Sequence, residues 1–178
     1  MPKKIILIAG PTASGKSKIA TEIAKKIKGE IINADSMQVY KEFSVLSSRP
    51  SKLDLKKVKH HLYGFQPANK TFSTGAWLKL VKKQINQCFK NKKTPIIVGG
   101  TGLYFEAITK GMSKIPNINL KMRNKIRELQ KTIGQKKFYE KLLKLDPLVK
   151  DKIEPYDTQR SIRAYEVKKF TKKSIFKW

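Results

Sequence analysis

Continuous apolar runs alternate with segments of helical spacing along the first part of the chain. The runs at 4–9 and 95–100 are almost continuously apolar, and the run at 30–34 centres on Ile31 and Ile32, as in short strands that are buried in a parallel sheet. Apolar positions recur at helical spacing over 16–28, and again after Ser73, which can cap a helix. This order of elements predicts an α/β fold with a parallel sheet and flanking helices.

The last third of the chain is strongly charged, and its apolar positions narrow to a helical stripe. A helix is predicted at 120–133, ended by Gly134, and a shorter helix at 136–145. A further helix is expected to begin after the capping residue Asp157.

These patterns divide the chain into three parts. We predict a core at 1–112, a helical insertion at 113–156, and a helix at 157–178 that returns to the core. Residues 41–72 contain prolines and polar clusters, and they are predicted to be mostly loop.

The net charge of +27 comes from 40 Lys+Arg against 13 Asp+Glu, which suggests a polyanionic partner. Most of these cations are lysine, a bias that A- and T-rich codons also produce. The charge alone therefore leaves both nucleic acid binding and an ordinary lysine-rich surface open. Arginine is more informative because it binds phosphate in a bidentate manner. The arginines are Arg49, Arg123, Arg127, Arg160 and Arg163.

Several classes of protein are excluded by what the sequence contains. No apolar run approaches the ~20 residues that span a bilayer, and the apolar run before Gly10 is too short for a signal peptide. The single cysteine, Cys88, excludes a disulfide framework and a multi-cysteine zinc site. We expect a cytoplasmic protein with no membrane partner, in which His60 and His61 make structural or polar contacts.

Residues 10–17 match the phosphate-loop pattern G-x-x-x-x-G-K-[ST] and lie between a predicted strand and a predicted helix. The glycines let backbone N–H groups turn toward phosphate oxygens, and the helix N-terminus adds partial positive charge. Lys16 adds a full charge, and the Ser17 hydroxyl can hold Mg²⁺. We therefore predict a P-loop NTPase-like sheet that binds a di- or triphosphate, as nucleotide- and ATP-binding proteins do. The binding residues are Gly10, Pro11, Thr12, Ala13, Ser14, Gly15, Lys16 and Ser17.

Asp35 is the acid that stands at the end of a predicted strand. Nucleotide hydrolases usually carry an aspartate after a second strand to organise Mg²⁺, whereas the run at 95–100 continues as Thr101-Gly102 with no acid. Asp35 lies at the carboxyl edge of the sheet, where open α/β folds bind ligands. It is a candidate base or metal organiser, and a solvated loop acid or helix cap is the alternative.

Five blocks of the sequence together resemble the tRNA dimethylallyltransferases, also called tRNA isopentenyltransferases. The phosphate loop is shared by many families, whereas Ala-Asp-Ser-Met-Gln at 34–38 and Gly-Gly-Thr-Gly-Leu-Tyr at 99–104 are far more specific. His-His-Leu at 60–62 and the block at 157–167 complete the set. The blocks stand in the family's order and cover essentially the whole chain.

The resemblance implies transfer of a dimethylallyl group from dimethylallyl diphosphate to the exocyclic N6 of the adenine just 3′ of a tRNA anticodon. The phosphate loop would then hold pyrophosphate as the leaving group. Asp35 would accept a proton or hydrogen bond from the adenine amine. Lys16, Ser17 with Mg²⁺, and Thr101 would stabilise the charge on pyrophosphate. The implied catalytic residues are Asp35, Thr101 and Lys16.

The resemblance also implies contacts with the anticodon stem-loop. Ser36 and Gln38 would hold the adenine after it leaves its stack. For the arginine-bearing helix, spacing alone leaves a solvated face as the alternative. The implied tRNA-binding residues are Asp35, Ser36, Met37, Gln38, Thr101, Arg123, Gln159, Arg160, Ser161, Ile162 and Arg163.

The chain departs from the family pattern at several points, among them Tyr63-Gly64 after His-His-Leu, where the family often has Asp. Residues 46–50 are Leu-Ser-Ser-Arg-Pro where the family usually has Gly-Thr-Ala-Lys-Pro, and the chain stops before the family's C-terminal part. Three hypotheses follow: a working prenyltransferase, either naturally short or completed by another chain; a non-catalytic tRNA-binding remnant; and a small-molecule P-loop kinase, against which the Asp35 and Thr101 blocks argue. We expect a monomer with tRNA and dimethylallyl diphosphate as partners.

Overall fold

A four-stranded parallel sheet organises the first of two units, Met1–Met112 and Ser113–Trp178. The structure, a computed structural model, describes residues 3–178, without the side chain of Lys52. The order across the sheet is β1-β4-β2-β3, and every neighbouring pair is parallel. The strands are β1 (Ile6–Ala9), β2 (Gly29–Asn33), β3 (His60–His61) and β4 (Thr94–Gly99).

The register brings the carboxyl ends of three strands to one edge of the sheet. Ala9 is paired with Gly99, and Asn33 with Val98, so β1, β2 and β4 end at nearly the same level. The segments that follow these strands are the phosphate loop, the Asp35 block and the Thr101 block. Their meeting at this edge follows from the parallel topology.

Helices cover the sheet on both faces. Neighbouring residues of a strand point to opposite faces. Accordingly Ile31 packs with Ala20 and Ala24 of the first helix, while Ile32 packs with Trp77 and Val81 of the third. The helices of this unit are α1 (Lys16–Ile27), α2 (Lys52–Lys57), α3 (Thr74–Lys90) and α4 (Gly102–Thr109).

The prediction that 41–72 is mostly loop missed two short elements. Helix α2 begins after Ser51, whose side chain forms a capping box with Asp54. Strand β3 has only two residues, which pair with Ile31 and Ile32 of β2. Elements of this length are too short to show a periodic pattern in the sequence. Helix α2 depends on its local cap, and β3 depends on pairing with a strand that is distant in sequence.

Two long helices form the second unit: α5 (Leu120–Leu145) and α6 (Thr158–Thr171). Gly134 interrupts α5 with φ 76° and ψ 164°, so the element consists of two helical segments, as the sequence predicts. Asp157 caps α6 by accepting a hydrogen bond from the N–H of Arg160 at 2.9 Å. Within this unit α6 packs on α5; a return of 157–178 to the core of 1–112 stays a prediction.

Within residues 3–178, no helix has both the length and the apolar character needed to span a bilayer.

Candidate active site

The phosphate loop joins β1 to α1. The N–H of Gly10 donates to the carbonyl of Gly99 at 3.3 Å, which ties the start of the loop to β4. Gly15 has φ 78° and ψ 1°, a left-handed conformation that L side chains rarely adopt, and α1 begins at the next residue. The Lys16 ammonium donates to the carbonyl of Pro11 at 2.8 Å. The lysine side chain therefore folds back along the loop, where its charge can meet phosphate.

The Asp35 carboxylate uses only one of its oxygens to fix its own loop. Oδ1 accepts hydrogen bonds from the N–H groups of Met37 at 2.8 Å and Gln38 at 3.4 Å. Among the described residues Oδ2 accepts no hydrogen bond. It lies 4.0 Å from the position that a Cβ on Gly100 would take. One oxygen is therefore held in place while the other is available to a ligand.

The Thr101 hydroxyl holds the segment that carries Asp35. Its Oγ1 accepts a hydrogen bond from the N–H of Ser36 at 2.9 Å and donates to the Ser36 hydroxyl at 3.3 Å. The N–H of Thr101 donates to the carbonyl of Ala34 at 3.2 Å. Thr101 thus positions the Asp35 block, and its contact with pyrophosphate stays a prediction.

Asn33 is a positioning residue that the sequence analysis did not single out. Its fully buried side chain accepts a hydrogen bond from the N–H of Asp35 at 2.9 Å. It also donates to the carbonyls of Asp35 at 2.9 Å and Leu62 at 3.1 Å. Trp77 donates its indole N–H to the Asn33 carbonyl at 2.8 Å. The available signal was a polar residue at the end of an otherwise apolar strand, directly before the candidate base.

The phosphate loop and Asp35 line one cavity of about 400 Å³. Met37 and Gln38, which follow Asp35 in the chain, also line this cavity. The loop that follows it is held by the Gln38 amide, which donates to the carbonyl of Ser47 at 2.7 Å. The cavity residues are Thr12, Ala13, Gly15, Lys16, Ser17, Lys18, Asp35, Met37, Gln38, Leu46, Ser47 and Ser48.

Burial also sets the protonation state of a tyrosine near Asp35. Tyr104 stacks on Trp77, with the ring centroids 4.2 Å apart. Burial, followed by the nearby Tyr40 and the charge of Asp35, raises the pKa of Tyr104 to about 12. Its hydroxyl therefore stays protonated at neutral pH.

In the second unit, a buried carboxylate holds two of the predicted tRNA-binding arginines. Glu166 of α6 is 1% exposed. Its Oε1 accepts from Nε of Arg123 at 3.4 Å, and its Oε2 accepts from Nη1 of Arg163 at 3.4 Å. Both arginines stay partly exposed, so their remaining N–H groups can reach a ligand. Glu166 carries no signal in the sequence that marks this role, because a helical glutamate resembles any other surface charge.

The remaining predicted residues of α6 differ in exposure. Gln159 and Arg160 are exposed, and Arg160 pairs with Asp157 at 3.2 Å. Ser161 and Ile162 are buried, and the Ser161 hydroxyl accepts from the amide of Gln135 at 3.2 Å. The Ser161 and Ile162 side chains therefore pack in the interior of the second unit.

The fold and this cavity together define an α/β protein of the P-loop NTPase-like class, as predicted, with a carboxylate beside its phosphate loop. Comparison with known families narrows the class. The family model described as IPP transferase matches residues 38–178. The chain belongs to this family, which confirms the resemblance seen in the sequence.

Individual relatives agree with this membership. The tRNA dimethylallyltransferase of Pelagibacter ubique is 63% identical over 98% of this chain and 56% of its own length. That of Rickettsia bellii is 48% identical over 99% of this chain and 56% of its own length. The chain thus spans about half the length of the curated relatives it matches.

Solved structures share the fold. A eukaryotic dimethylallyltransferase acting on tRNA has a TM-score of 0.82 and 28% identity, over 97% of this chain and 43% of that one. The full-length tRNA isopentenylpyrophosphate transferase from Bacillus halodurans has a TM-score of 0.62 and 31% identity, over 96% of this chain and 56% of that one.

Proposed function

We propose that this chain carries the catalytic centre for transfer of a dimethylallyl group from dimethylallyl diphosphate to N6 of the adenine 3′ of a tRNA anticodon. One observation carries the proposal: Lys16, Ser17 and Asp35 line the same cavity. A leaving-group site and a candidate base must share one cavity if the adenine is to attack the carbon that bears the diphosphate.

The chemistry assigns one task to each side of the cavity. The N6 nitrogen attacks C1 of the dimethylallyl group, the C1–O bond breaks, and its electron pair leaves with pyrophosphate. The Lys16 ammonium and the loop amides stabilise the charge that develops on the leaving oxygens. Asp35 accepts the proton of the N6 amine on Oδ2, the oxygen not committed to its own loop.

The donor set of the cavity suits Mg²⁺. The Ser17 hydroxyl at the start of α1 is a hard oxygen ligand that lines the cavity, and substrate phosphates commonly supply other ligands. Ser17 would hold the ion, which would neutralise part of the diphosphate charge.

The second unit supports tRNA as the polyanionic substrate. Each of Arg123 and Arg163 donates one guanidinium N–H to Glu166, and both side chains stay partly exposed, so their other N–H groups can bind phosphate oxygens. Gln159 and Arg160 extend the same helix toward solvent. Contacts of this kind orient a nucleic acid without reading its sequence.

The test is prenylation of a defined RNA. The purified chain is incubated with dimethylallyl diphosphate, Mg²⁺ and an anticodon stem-loop that carries adenine at the target position, and prenylated adenosine is detected by mass spectrometry. Asp35→Asn, which keeps the shape of the side chain, is expected to lose product while retaining Mg²⁺-dependent pyrophosphate binding. Full activity in this variant would refute the assignment of the base.

Two other outcomes would point elsewhere. RNA binding without product would favour a non-catalytic tRNA-binding protein. Phosphoryl transfer from ATP to a small molecule would favour a kinase.

A further inference from the structure

A second cluster of chemically reactive side chains lies at the other end of β2 from Asp35. Glu30 stands near the start of β2, His61 lies on the neighbouring β3, and Cys88 lies near the end of α3. Along a strand, the five positions from Glu30 to Asp35 span roughly 16 Å. The cluster is therefore separate from the phosphate cavity.

Two of the three side chains are buried, that of His61 is half-buried, and all three lie close together. The exposed fractions are 5% for Glu30, 0% for Cys88 and 11% for the His61 side chain. Nε2 of His61 lies 2.6 Å from Oε2 of Glu30, and Sγ of Cys88 lies 3.7 Å from the same oxygen. One ligand atom from each residue lies within 4.8 Å of the other two.

These distances are near those of a tetrahedral zinc site. Zinc–ligand bonds of about 2.3 Å to sulfur and 2.0–2.2 Å to nitrogen or oxygen place neighbouring ligand atoms roughly 3.3–3.6 Å apart. The 3.7 Å from Sγ of Cys88 to Oε2 of Glu30 is close to the upper end of this range, and the ligand atoms of His61 and Cys88, which lie within 4.8 Å of each other, must approach somewhat. The shorter contact between His61 and Glu30 is a hydrogen bond, and rotation of either side chain can open it by the required fraction of an ångström.

The charges also balance. A carboxylate, a thiolate and a neutral imidazole around a divalent cation sum to zero. A bound divalent ion would therefore leave no net charge in this cluster.

We propose that Glu30, His61 and Cys88 form a binding site for a thiophilic divalent cation of the zinc class, with water as the fourth ligand. The bound ion would join β2, β3 and α3. This matters most for β3, because a two-residue strand has few hydrogen bonds of its own. Nothing in this assignment depends on the proposed prenyl transfer.

The experiment uses Co²⁺ as a spectroscopic probe. The full chain is refolded without metal and titrated with Co²⁺, and the near-ultraviolet thiolate-to-cobalt band is recorded. Cys88 is the only cysteine of the sequence, so this band reports on one side chain. We expect one equivalent of Co²⁺ to produce the band, one equivalent of Zn²⁺ to abolish it, and Zn²⁺ to raise the unfolding temperature.

Matched variants separate this site from incidental binding. Cys88→Ser should remove the band. His61→Gln and Glu30→Gln should each weaken Zn²⁺ binding by at least about tenfold, the loss that even an outer-shell partner can cause. His60→Gln is the control, because His60 Nδ1 contacts the carbonyl of Val58 at 2.7 Å, and it should bind like the unmodified protein.

Three results would overturn the proposal. One is the absence of the cobalt band in folded protein. Another is a band of equal affinity in His61→Gln and Glu30→Gln, which would mean that the thiol binds cobalt without them. The third is a folded Cys88→Ser protein that gains as much thermal stability from Zn²⁺ as the unmodified chain. Circular dichroism verifies that each variant is folded.

Discussion

Replacement of Gly99 by alanine tests whether the close approach of β4 and β2 sets the geometry of the cavity. Gly99 is the last residue of β4, and a Cβ added there would lie 2.1 Å from the carbonyl carbon and oxygen of Ala34. Ala34 directly precedes Asp35, and its N–H donates to the Val98 carbonyl at 2.7 Å. The new methyl group would therefore press on the backbone that carries the candidate base.

The size of the effect follows from this distance. A Cβ atom essentially never lies within 3.0 Å of a non-bonded heavy atom. The backbones at Gly99 and Ala34 must therefore separate by at least about 0.9 Å. Forcing extra volume into a packed place costs about 1–3 kcal/mol of stability. A displacement of ~1 Å at a reacting group can cost about 10²-fold in rate. Catalysis should thus fall far more than the fold is weakened.

The assay combines urea unfolding with the rate of adenine prenylation. Gly102→Ala is the control, because a Cβ at Gly102, at the start of α4, meets nothing within 4 Å. That change should keep the activity and leave stability equal or slightly higher, since alanine favours a helix over glycine by up to ~1 kcal/mol. A Gly99→Ala protein with unchanged stability and rate would show that the strands can separate freely, contrary to this reasoning.

Three further variants test the supporting structure. Trp77→Phe removes the donor to the buried Asn33 carbonyl, so urea unfolding should show a loss of about 1–3 kcal/mol, and an unchanged midpoint would exclude this role. Glu166→Gln should weaken stem-loop binding by releasing the two arginines, whereas the exposed Glu128→Gln should not; equal binding by both variants would contradict the role of Glu166. In the metal-free protein, burial, followed by the charge of Glu30, raises the pKa of the Cys88 thiol from 9.0 to about 11, so its contribution to stability is full below pH 9 and is lost as the pH rises toward 11. Unfolding curves of Cys88→Ser should decline less over that range, and parallel declines would refute this.

The sequence predicts those features that depend on neighbouring residues. Residues 4–17 specify a strand, a glycine-rich turn and a helix start within one stretch, and the structure contains all three. The position of Asp35 in the cavity was also accessible, because parallel strands end at a common edge. The rule that open α/β sheets bind ligands at the carboxyl ends of their strands was sufficient to place it.

The features that escaped prediction depend on contacts between distant positions. Glu30 meets His61 across 31 positions and Cys88 across 58, and no local pattern marks such a meeting. Glu166 lies 43 positions from Arg123, and within its own helix it is an ordinary charged residue. Burial, which gives both glutamates their roles, is a property of the folded chain.

The strand order has a consequence for the length of molecule that can occupy the cavity. Because β4 lies between β1 and β2, the chain segments bearing the phosphate loop and Asp35 leave the sheet two interstrand steps apart, about 9.5 Å. This span is fixed by backbone hydrogen bonds and does not vary with side-chain rotation. A compound that contacts both the phosphate loop and Asp35 must therefore reach across the end of the central strand β4.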